Sequence, residues 1–311
     1  ATAGATTVPA HTLYDIVRKL PEGAQISLET EADSGQLHLA AGRAKFRLGT
    51  LGTDEFPAMA EGDLPCEFVL TAGDLRVLID RTRFAISMEE TRYYLNGIYL
   101  HAELGKGGDT LRAVATDGHR LARVEMPLPD GAREMPAVIV PRKTILELRK
   151  LIEETGGDID VSLSETKIRF AFDDVVLTSK LIDGTFPDYE RVIPSGNDKI
   201  MEVRRKEFAE AVDLVATIAT EKSRAIKLSV EKGNLALSAN SPDSGSAEEE
   251  IEVKYDGEAL QIGFNSRYLL DIAQQIEGDT AQFVMADPDK PTIVRDASDE
   301  SALYVLMPMR V

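Results

Sequence analysis

An internal repeat constrains the fold of this 311-residue chain more than any other feature of its sequence. Three segments share one pattern: an apolar residue is followed by a short polar stretch and then by apolar residues at helical spacing, with an acid among them. The segments are VPAHTLYDIV (8–17), VPRKTILELR (140–149) and FNSRYLLDIA (264–273). Each leads to a glycine and then to an alternating run, which predicts a helix that ends near glycine and feeds a strand. Such self-similarity indicates a chain built from duplicated units.

The segments between these helices repeat as well. Strand-like runs follow the first two helices and lead to the dipeptides Phe56-Pro57 and Phe186-Pro187, and proline at a strand exit is typical of the passage to a new unit. Residues 66–126 and 200–254 each begin with a strand and an amphipathic helix, the first opened by Thr71. We therefore predict an α+β chain with mainly antiparallel sheets. Continuous alternation without a G-x-G-x-x-G turn argues against a doubly wound nucleotide-binding fold.

Composition excludes several classes of protein. No apolar run approaches the roughly 18 residues of a membrane helix, and the first ten residues lack the features of a secretory signal. The single cysteine, Cys66, cannot form an internal disulfide, which favours a reducing, cytoplasmic setting. The four histidines, His11, His38, His101 and His119, are far apart, so we predict no metal site.

The formal net charge of −18 argues at first against a nucleic-acid partner, because phosphate binding requires Lys and Arg. Net charge describes the long-range field, however, and does not say where cations collect. The distribution of the basic residues therefore decides the question.

The segment ATDGHRLA (115–122) admits three interpretations: an acid/base site, half of a metal site, or a turn. Asp117-Gly118 between two alternating runs favours a hairpin turn, since Gly tolerates positive φ. Asp117 and His119 could pair, but no Ser or Cys nucleophile is marked by a motif, so catalysis is the weaker interpretation.

Four separated motifs together resemble the bacterial DNA polymerase III beta subunit, the sliding clamp family. They are RYYLNGIYL, ATDGHRLA, KLIDGTFPDYERVIP and the terminal YVLMPMRV, and the resemblance covers essentially the whole chain. It implies duplicated DNA-clamp domains with antiparallel sheets outside and helices lining a central channel. It also implies a head-to-tail homodimeric ring around double-stranded DNA, bound without regard to base sequence.

The resemblance places domain boundaries at 1–62, 63–190 and 191–311. The first range matches the C-terminal half of clamp domain I, with the N-terminal half missing, and the others match domains II and III. A simpler possibility is that the sequence covers only part of a longer protein. Without the missing half, apolar surface of the first domain is exposed, and we expect the ring to close less well than in a full clamp.

An acidic exterior would keep DNA off the outside of such a ring, while basic residues concentrate on the inner helices. The same cations could also be merely solvated helix faces. The DNA-facing candidates are Arg18, Lys19, Arg76, Arg81, Arg83, Arg142, Lys143, Arg149, Lys150, Arg204, Arg205, Lys206 and Arg267.

The resemblance further implies a groove between domains II and III that binds short linear motifs of partner proteins. The partners would be the polymerase III alpha subunit, the clamp loader, and other polymerases and repair proteins. Two methionines suit an adaptable apolar pocket, and His119, Arg120 and Arg310 are expected at its polar rim. The groove candidates are Leu95, Thr116, Gly118, His119, Arg120, Leu121, Pro187, Arg191, Val192, Asn265, Tyr268, Val305, Met307, Pro308, Met309 and Arg310.

The dimer interface implied by the resemblance joins the first domain of one subunit to the third domain of the other. Its candidate residues are Phe46, Leu48, Ile218, Glu248, Glu249 and Glu250. The favoured function is thus a non-enzymatic processivity clamp, which is expected to need no cofactor and no metal. The alternative is a truncated clamp that acts only as a monomeric peptide-binding module, and an enzyme ranks third.

Overall fold

The computed structural model describes residues 4–30, 35–56, 62–105, 107–220 and 224–310. The chain divides into two compact units, Ala1–Gly62 and Asp63–Val311. Two residues singled out in the sequence, Pro57 of the first Phe-Pro dipeptide and the terminal Val311, lie outside the described residues.

The first unit is a helix and a three-stranded antiparallel sheet in the order β1-β2-β3. Its elements are α1 (Ala10–Val17), β1 (Ile26–Thr30), β2 (Gln36–Ala41) and β3 (Ala44–Gly49). Leu37 and Leu39 of β2 are buried, but all eight residues of α1 are exposed or half-exposed, and Tyr14 is 63% exposed. The apolar face of α1 therefore stays open within this unit.

The second unit contains four further helices and sixteen further strands within the described residues. The helices are α2 (Ala72–Asp80), α3 (Arg142–Leu151), α4 (Arg205–Ala216) and α5 (Ser266–Ala273). The strands of the first half are β4 (Cys66–Thr71), β5 (Gly97–Glu103), β6 (Thr110–Thr116), β7 (Arg120–Pro127), β8 (Val138–Pro141), β9 (Asp158–Leu163), β10 (Lys167–Phe172) and β11 (Val175–Lys180). Those of the second half are β12 (Lys199–Arg204), β13 (Ala225–Glu231), β14 (Asn234–Ser241), β15 (Gly245–Glu252), β16 (Leu260–Asn265), β17 (Thr280–Met285), β18 (Thr292–Asp296) and β19 (Ala302–Leu306).

Each helix of the second unit follows directly from a strand. Thr71 ends β4 and caps α2, because its Oγ1 accepts a hydrogen bond of 3.0 Å from the backbone N–H of Asp74. Asn265 caps α5 in the same way through the N–H of Arg267. This strand-to-helix step occurs four times, so the repeat predicted from sequence is present in the structure.

The strands of the second unit form three antiparallel sheets. Two are four-stranded, in the orders β11-β10-β9-β4 and β15-β14-β13-β16. The third has eight strands in the order β12-β17-β18-β19-β7-β6-β5-β8, and it crosses from one half of the unit to the other where β19 pairs with β7. The prediction of an α+β chain with antiparallel sheets is confirmed. In the described part of the chain, no helix combines the length and apolarity needed to cross a membrane.

Around β6, β7 and β19 the eight-stranded sheet is apolar on both faces. Ala122 and its neighbours pack with the helices in the main core, whereas Leu121 points to the opposite face, because successive strand residues alternate. A second, smaller core lies on that opposite face; we call it the connector cluster. It comprises Leu95, Val114, Leu121, Ile139, Phe186, Tyr189 and Val305. The segment that covers it, residues 182–193, leads from β11 towards β12 and is called the connector.

Candidate peptide groove and nucleic-acid surface

The ATDGHRLA segment forms the hairpin turn between β6 and β7. Asp117 Oδ1 accepts hydrogen bonds from the backbone N–H groups of His119 (2.9 Å) and Arg120 (3.0 Å). Thr116 Oγ1 accepts from the N–H of Gly118 and donates to the carbonyl of Arg120. Gly118 has a φ of +87°, which favours glycine. The carboxylate of Asp117 is thus occupied in shaping the turn, which is the interpretation that the Asp-Gly pair favours.

Arg120 does not lie at a polar rim, where the resemblance places it. Its side chain is only 9% exposed. The guanidinium forms ion pairs with Asp117 (3.1 Å) and Asp271, and Nη2 donates to the carbonyl of Phe84 at 2.6 Å. It also lies over the ring of Tyr268, 4.3 Å from the centroid. Arg120 therefore fastens the turn to α5, because the apolar surroundings strengthen charge-assisted hydrogen bonds to both elements.

His119 is an exposed side chain at the tip of this turn. Its imidazole stacks on Tyr268 of α5, with the ring centroids 6.4 Å apart and the planes 23° apart. Burial raises the pKa of the Tyr268 hydroxyl, so that the ring stays neutral. His119 and Tyr268 together present an aromatic wall contributed by both halves of the unit.

The C-terminal residues Met307–Arg310, called here the tail, run along the same junction. The N–H of Met307 donates to the carbonyl of His119 at 2.9 Å, and the N–H of Met309 donates to the carbonyl of Gly263 at 2.8 Å. Met307 remains 36% exposed. The tail also borders a depression of about 590 Å³, lined by Lys227, Gln261, Gly263, Pro288, Asp289, Met307, Pro308, Met309 and Arg310.

The connector contributes a further wall. Phe186 and Tyr189 are buried in the connector cluster, while Pro187, Arg191 and Val192 are exposed. Beneath this wall, the predicted groove residues Leu95, Leu121 and Val305 are 5%, 2% and 1% exposed. They form a packed floor and offer little surface themselves. We use "groove" for the surface bounded by the turn, the tail, α5 and the connector.

The structure divides the predicted DNA-facing cations into three groups. Arg76, Arg81 and Arg149 are bound internally: Arg76 Nη1 donates to the carbonyls of Ile152 and Thr155, both at 2.8 Å. Arg81 pairs with Glu277 and Asp299, and Arg149 with Asp80. These contacts stabilise helix ends and tie the two halves of the unit together. Arg205 is half-buried. The exposed cations are Arg18, Lys19, Arg83, Arg142, Lys143, Lys150, Arg204, Lys206 and Arg267.

Five of the six predicted dimer residues lie on strands at sheet edges. Phe46 and Leu48 belong to β3, and Glu248, Glu249 and Glu250 belong to β15; each strand forms one edge of its sheet. Leu48 is buried, Phe46 and Glu249 are half-buried, and Glu248 and Glu250 are exposed. Ile218, just after α4, is half-buried. Edge strands present unpaired backbone groups and can pair with another chain.

Sequence reasoning missed several residues that shape the groove. Phe84 and Asp271 hold Arg120, and His101 and Arg112 contact Tyr189 of the connector. Asp271 was visible only as the acid in the third helical repeat, and nothing local in the sequence connects it with Arg120.

Comparisons with known proteins agree along the whole chain. Residues 1–60, 70–188 and 190–310 match the sequence profiles of the N-terminal, central and C-terminal domains of the DNA polymerase III beta subunit. The beta sliding clamp of Caulobacter vibrioides is 54% identical over 309 residues, which cover 99% of this chain and 83% of that protein. The beta sliding clamp of Pseudomonas aeruginosa is 42% identical over 311 residues, covering 100% of this chain and 83% of the relative.

Solved structures show the same similarity. A DnaN sliding clamp from Bartonella birtlesii bound to griselimycin superposes with a TM-score of 0.92 at 53% identity, covering 100% of this chain and 83% of that one. A beta sliding clamp from Caulobacter crescentus superposes with a TM-score of 0.93 at 54% identity, covering 98% and 81%. The predicted clamp fold, with its repeated domains, is confirmed by these matches.

Proposed function

The chain belongs to the beta sliding clamp family of DNA polymerase III and serves as a DNA clamp, and from this premise we propose how its residues perform that role. It forms a head-to-tail homodimeric ring around duplex DNA in the bacterial cytoplasm. Partner proteins are held through short linear motifs in the groove. The alternative of a monomeric peptide-binding module is not favoured, because relatives matched over nearly the whole chain are sliding clamps.

The junction between the turn and the tail carries the proposal for the groove. The bond from the Met307 N–H to the His119 carbonyl brings exposed apolar and aromatic side chains together above a buried floor. A peptide gains affinity by burying one or two large apolar anchors in such a site. We propose that the polymerase III alpha subunit, the clamp loader, and other polymerases and repair proteins dock there.

The groove is tested with a fluorescent peptide that carries the clamp-binding motif of the Caulobacter vibrioides polymerase III alpha subunit. Met307→Ala is expected to weaken binding roughly tenfold, since truncating a central apolar contact costs more than about 1 kcal/mol. Leu214→Ala on α4 is the matched control, because Leu214 is also an exposed apolar residue, 57% exposed, but lies outside the groove. Equal affinity of both variants and the wild type would remove the groove from the proposal.

We propose that the exposed cations of the helices contact DNA phosphates. Weak, sequence-independent contacts suit a ring that must slide, and they lose strength as salt concentration rises. Arg142→Gln combined with Lys143→Gln should lower the salt dependence of DNA retention by about one unit of slope for each lost contact. Lys232→Gln, in the β13–β14 turn, is the control. Retention on circular but not linear DNA distinguishes encirclement from surface binding.

We propose that β3 of one subunit meets β15 of the other. Besides its apolar residues, β3 exposes Lys45 and Arg47, whereas β15 exposes Glu248 and Glu250, so the two edges have opposite charge. The molar mass across a dilution series should be near twice 34.0 kDa. Reversing the two glutamates to lysine should shift the chain towards monomer, and reversing the two basic residues in addition should restore pairing. A mass near 34.0 kDa at all concentrations excludes the ring.

We propose no catalytic role for the ATDGHRLA turn. A general base needs a free carboxylate or imidazole beside a reacting group. Asp117 instead accepts hydrogen bonds from two backbone N–H groups and from Arg120. Turnover that His119→Ala abolished would contradict this assignment.

A further inference from the structure

The connector wall of the groove has little local structure to hold it. It contains a single four-residue 3-10 turn, Tyr189–Val192, and such short turns have poor hydrogen-bond geometry. The ion pair between Arg191 and Asp188 is exposed and contributes little order. The position of the wall therefore depends on the side chains that anchor it from below.

Aromatic stacking provides the first anchor. The ring of Phe186 lies parallel to that of Tyr99 on β5, with centroids 4.6 Å apart and planes within 4°. His101, two residues along β5, lies 4.8 Å from the same Tyr99 ring. The connector thus rests on a row of rings from one strand.

A chain of three hydrogen bonds provides the second anchor, and its directions are fixed by chemistry. His101 Nδ1 lies 3.1 Å from the carbonyl of Ala102, which can only accept, so Nδ1 carries the proton. Nε2 of the neutral ring must then accept from the hydroxyl of Tyr189, 3.1 Å away. The same hydroxyl oxygen accepts from Nη1 of Arg112 at 3.3 Å. Tyr189 is held on both sides, and both of its hydrogen-bonding roles are used.

Burial favours the neutral form of the His101 imidazole. Burial lowers the pKa of His101, and the cation of Arg112 lowers it further. The hydrogen bond to the Ala102 carbonyl and the carboxylates of Glu103 and Glu190 act in the opposite direction without reversing the shift. Arg112 is itself fixed by three acids, Glu125 at 3.0 Å, Glu190 at 2.8 Å and Glu103 at 3.4 Å. Burial raises the pKa of the Tyr189 hydroxyl, which therefore keeps its proton for His101.

We propose that His101 and Arg112 are positioning residues of the groove, which act through Tyr189 to hold the connector wall where a partner peptide binds. This inference rests on the proposed groove function. Neither residue touches the peptide. When the hydrogen-bond chain breaks, the wall samples other positions, and the affinity falls in proportion to the fraction of molecules that remain competent to bind.

The inference predicts a dependence on pH. A proton added to Nε2 would point at the Tyr189 hydroxyl proton and would bring a second positive charge towards Arg112. The other titratable groups around the imidazole are Tyr99 and Glu103 on its own strand, Glu125 on β7 and Glu190 on the connector. Because the pKa of folded His101 is lowered, peptide affinity should decline only at a pH below the ordinary histidine value of 6.5, where the folded protein takes up this proton.

The test measures binding of the same fluorescent polymerase III alpha peptide to the full chain by anisotropy. Tyr189→Phe removes one hydroxyl and keeps the ring, and it should weaken binding roughly five- to tenfold. His101→Leu and Arg112→Met should have similar effects. Tyr255→Phe is the matched control, because Tyr255 is also buried and its hydroxyl donates to the carbonyl of Glu258, away from the groove; it should leave affinity unchanged.

A pH profile separates positioning from general destabilisation. His101→Gln supplies an amide oxygen in place of Nε2, so it should restore affinity at neutral pH and remove the decline at acidic pH. The profile is measured in a His119→Gln background, which removes the imidazole that lies in the groove itself. Affinities of Tyr189→Phe and Arg112→Met within twofold of the wild type, or an acidic decline that persists in His101→Gln, would overturn the inference alone. Failure of the wild type to bind would overturn the groove as well.

Discussion

Replacing Arg120 is expected to be among the most costly single changes in the second unit. Its guanidinium bonds to two carboxylates and a carbonyl, and it lies over the ring of Tyr268. Arg120→Met keeps the length of the side chain but leaves Asp117 and Asp271 without their cation. Breaking a buried pair in this way costs about 3–5 kcal/mol. Since the two acids are 17% and 24% exposed and regain some hydration, we expect about 3 kcal/mol.

Arg120→Lys separates the contribution of the branched guanidinium group from the contribution of its positive charge. Lysine retains the charge but cannot reach both carboxylates and the Phe84 carbonyl in the same geometry. We expect a loss of about 1–2 kcal/mol, between wild type and Arg120→Met. Peptide binding should weaken in both variants, because the turn and α5 would no longer be held together.

Urea unfolding followed by circular dichroism measures these losses, since the chain has no tryptophan for fluorescence. A double-mutant cycle with Asp271→Asn should give a coupling free energy of about 1–3 kcal/mol. Arg191→Met is the control, because Arg191 also pairs with an aspartate three residues away but its side chain is 85% exposed. If Arg120→Met cost no more than this control, the interpretation of Arg120 as a buried fastener would be refuted.

Three further changes test other parts of the structure. Tyr304→Phe should leave the free energy of unfolding unchanged or raise it by up to about 1 kcal/mol in urea titrations, because the hydroxyl is buried without a partner among the described residues. Gly118→Ala should cost about 1–2 kcal/mol through its φ of +87° and weaken peptide binding, whereas Gly156→Ala, with open space around it, should do neither. Because the folded-state pKa of His101 lies below its ordinary value of 6.5, the unfolded chain binds more protons, and stability should fall as pH drops below about 6.5. Urea titrations across this range should show a smaller fall for His101→Gln.

The helices and turns of the fold could be predicted from the sequence, because each is determined by residues that are close together along the chain. In each of the three repeated segments a helix begins two residues after the start of the segment, at Ala10, Arg142 and Ser266. The spacing of apolar residues sets each helix, and the residues before it set where it begins. The hairpin turn at Asp117-Gly118 was predictable for the same reason.

The contacts that hold the groove together could not be predicted from the sequence, because the residues that form them are distant from one another along the chain. Arg120 meets Asp271 across 151 positions, and Arg81 meets Asp299 across 218. A basic residue on an amphipathic helix gives the same local signal whether it faces DNA or bonds to a neighbouring loop. The Phe-Pro dipeptides show the same limit: Phe186 is buried in the connector cluster, whereas Phe56 is 65% exposed.

The pairing of β19 with β7 has a mechanical consequence for the proposed ring, which would have to open to admit DNA. Backbone hydrogen bonds run across the junction of the two halves, with Val305 opposite Leu121 and Tyr304 opposite Ala122. A hinge at this place would have to break several bonds of a continuous ladder at once. The unit from Asp63 to Val311 should therefore move as one rigid body. The bending that opens the proposed ring must then occur outside this unit.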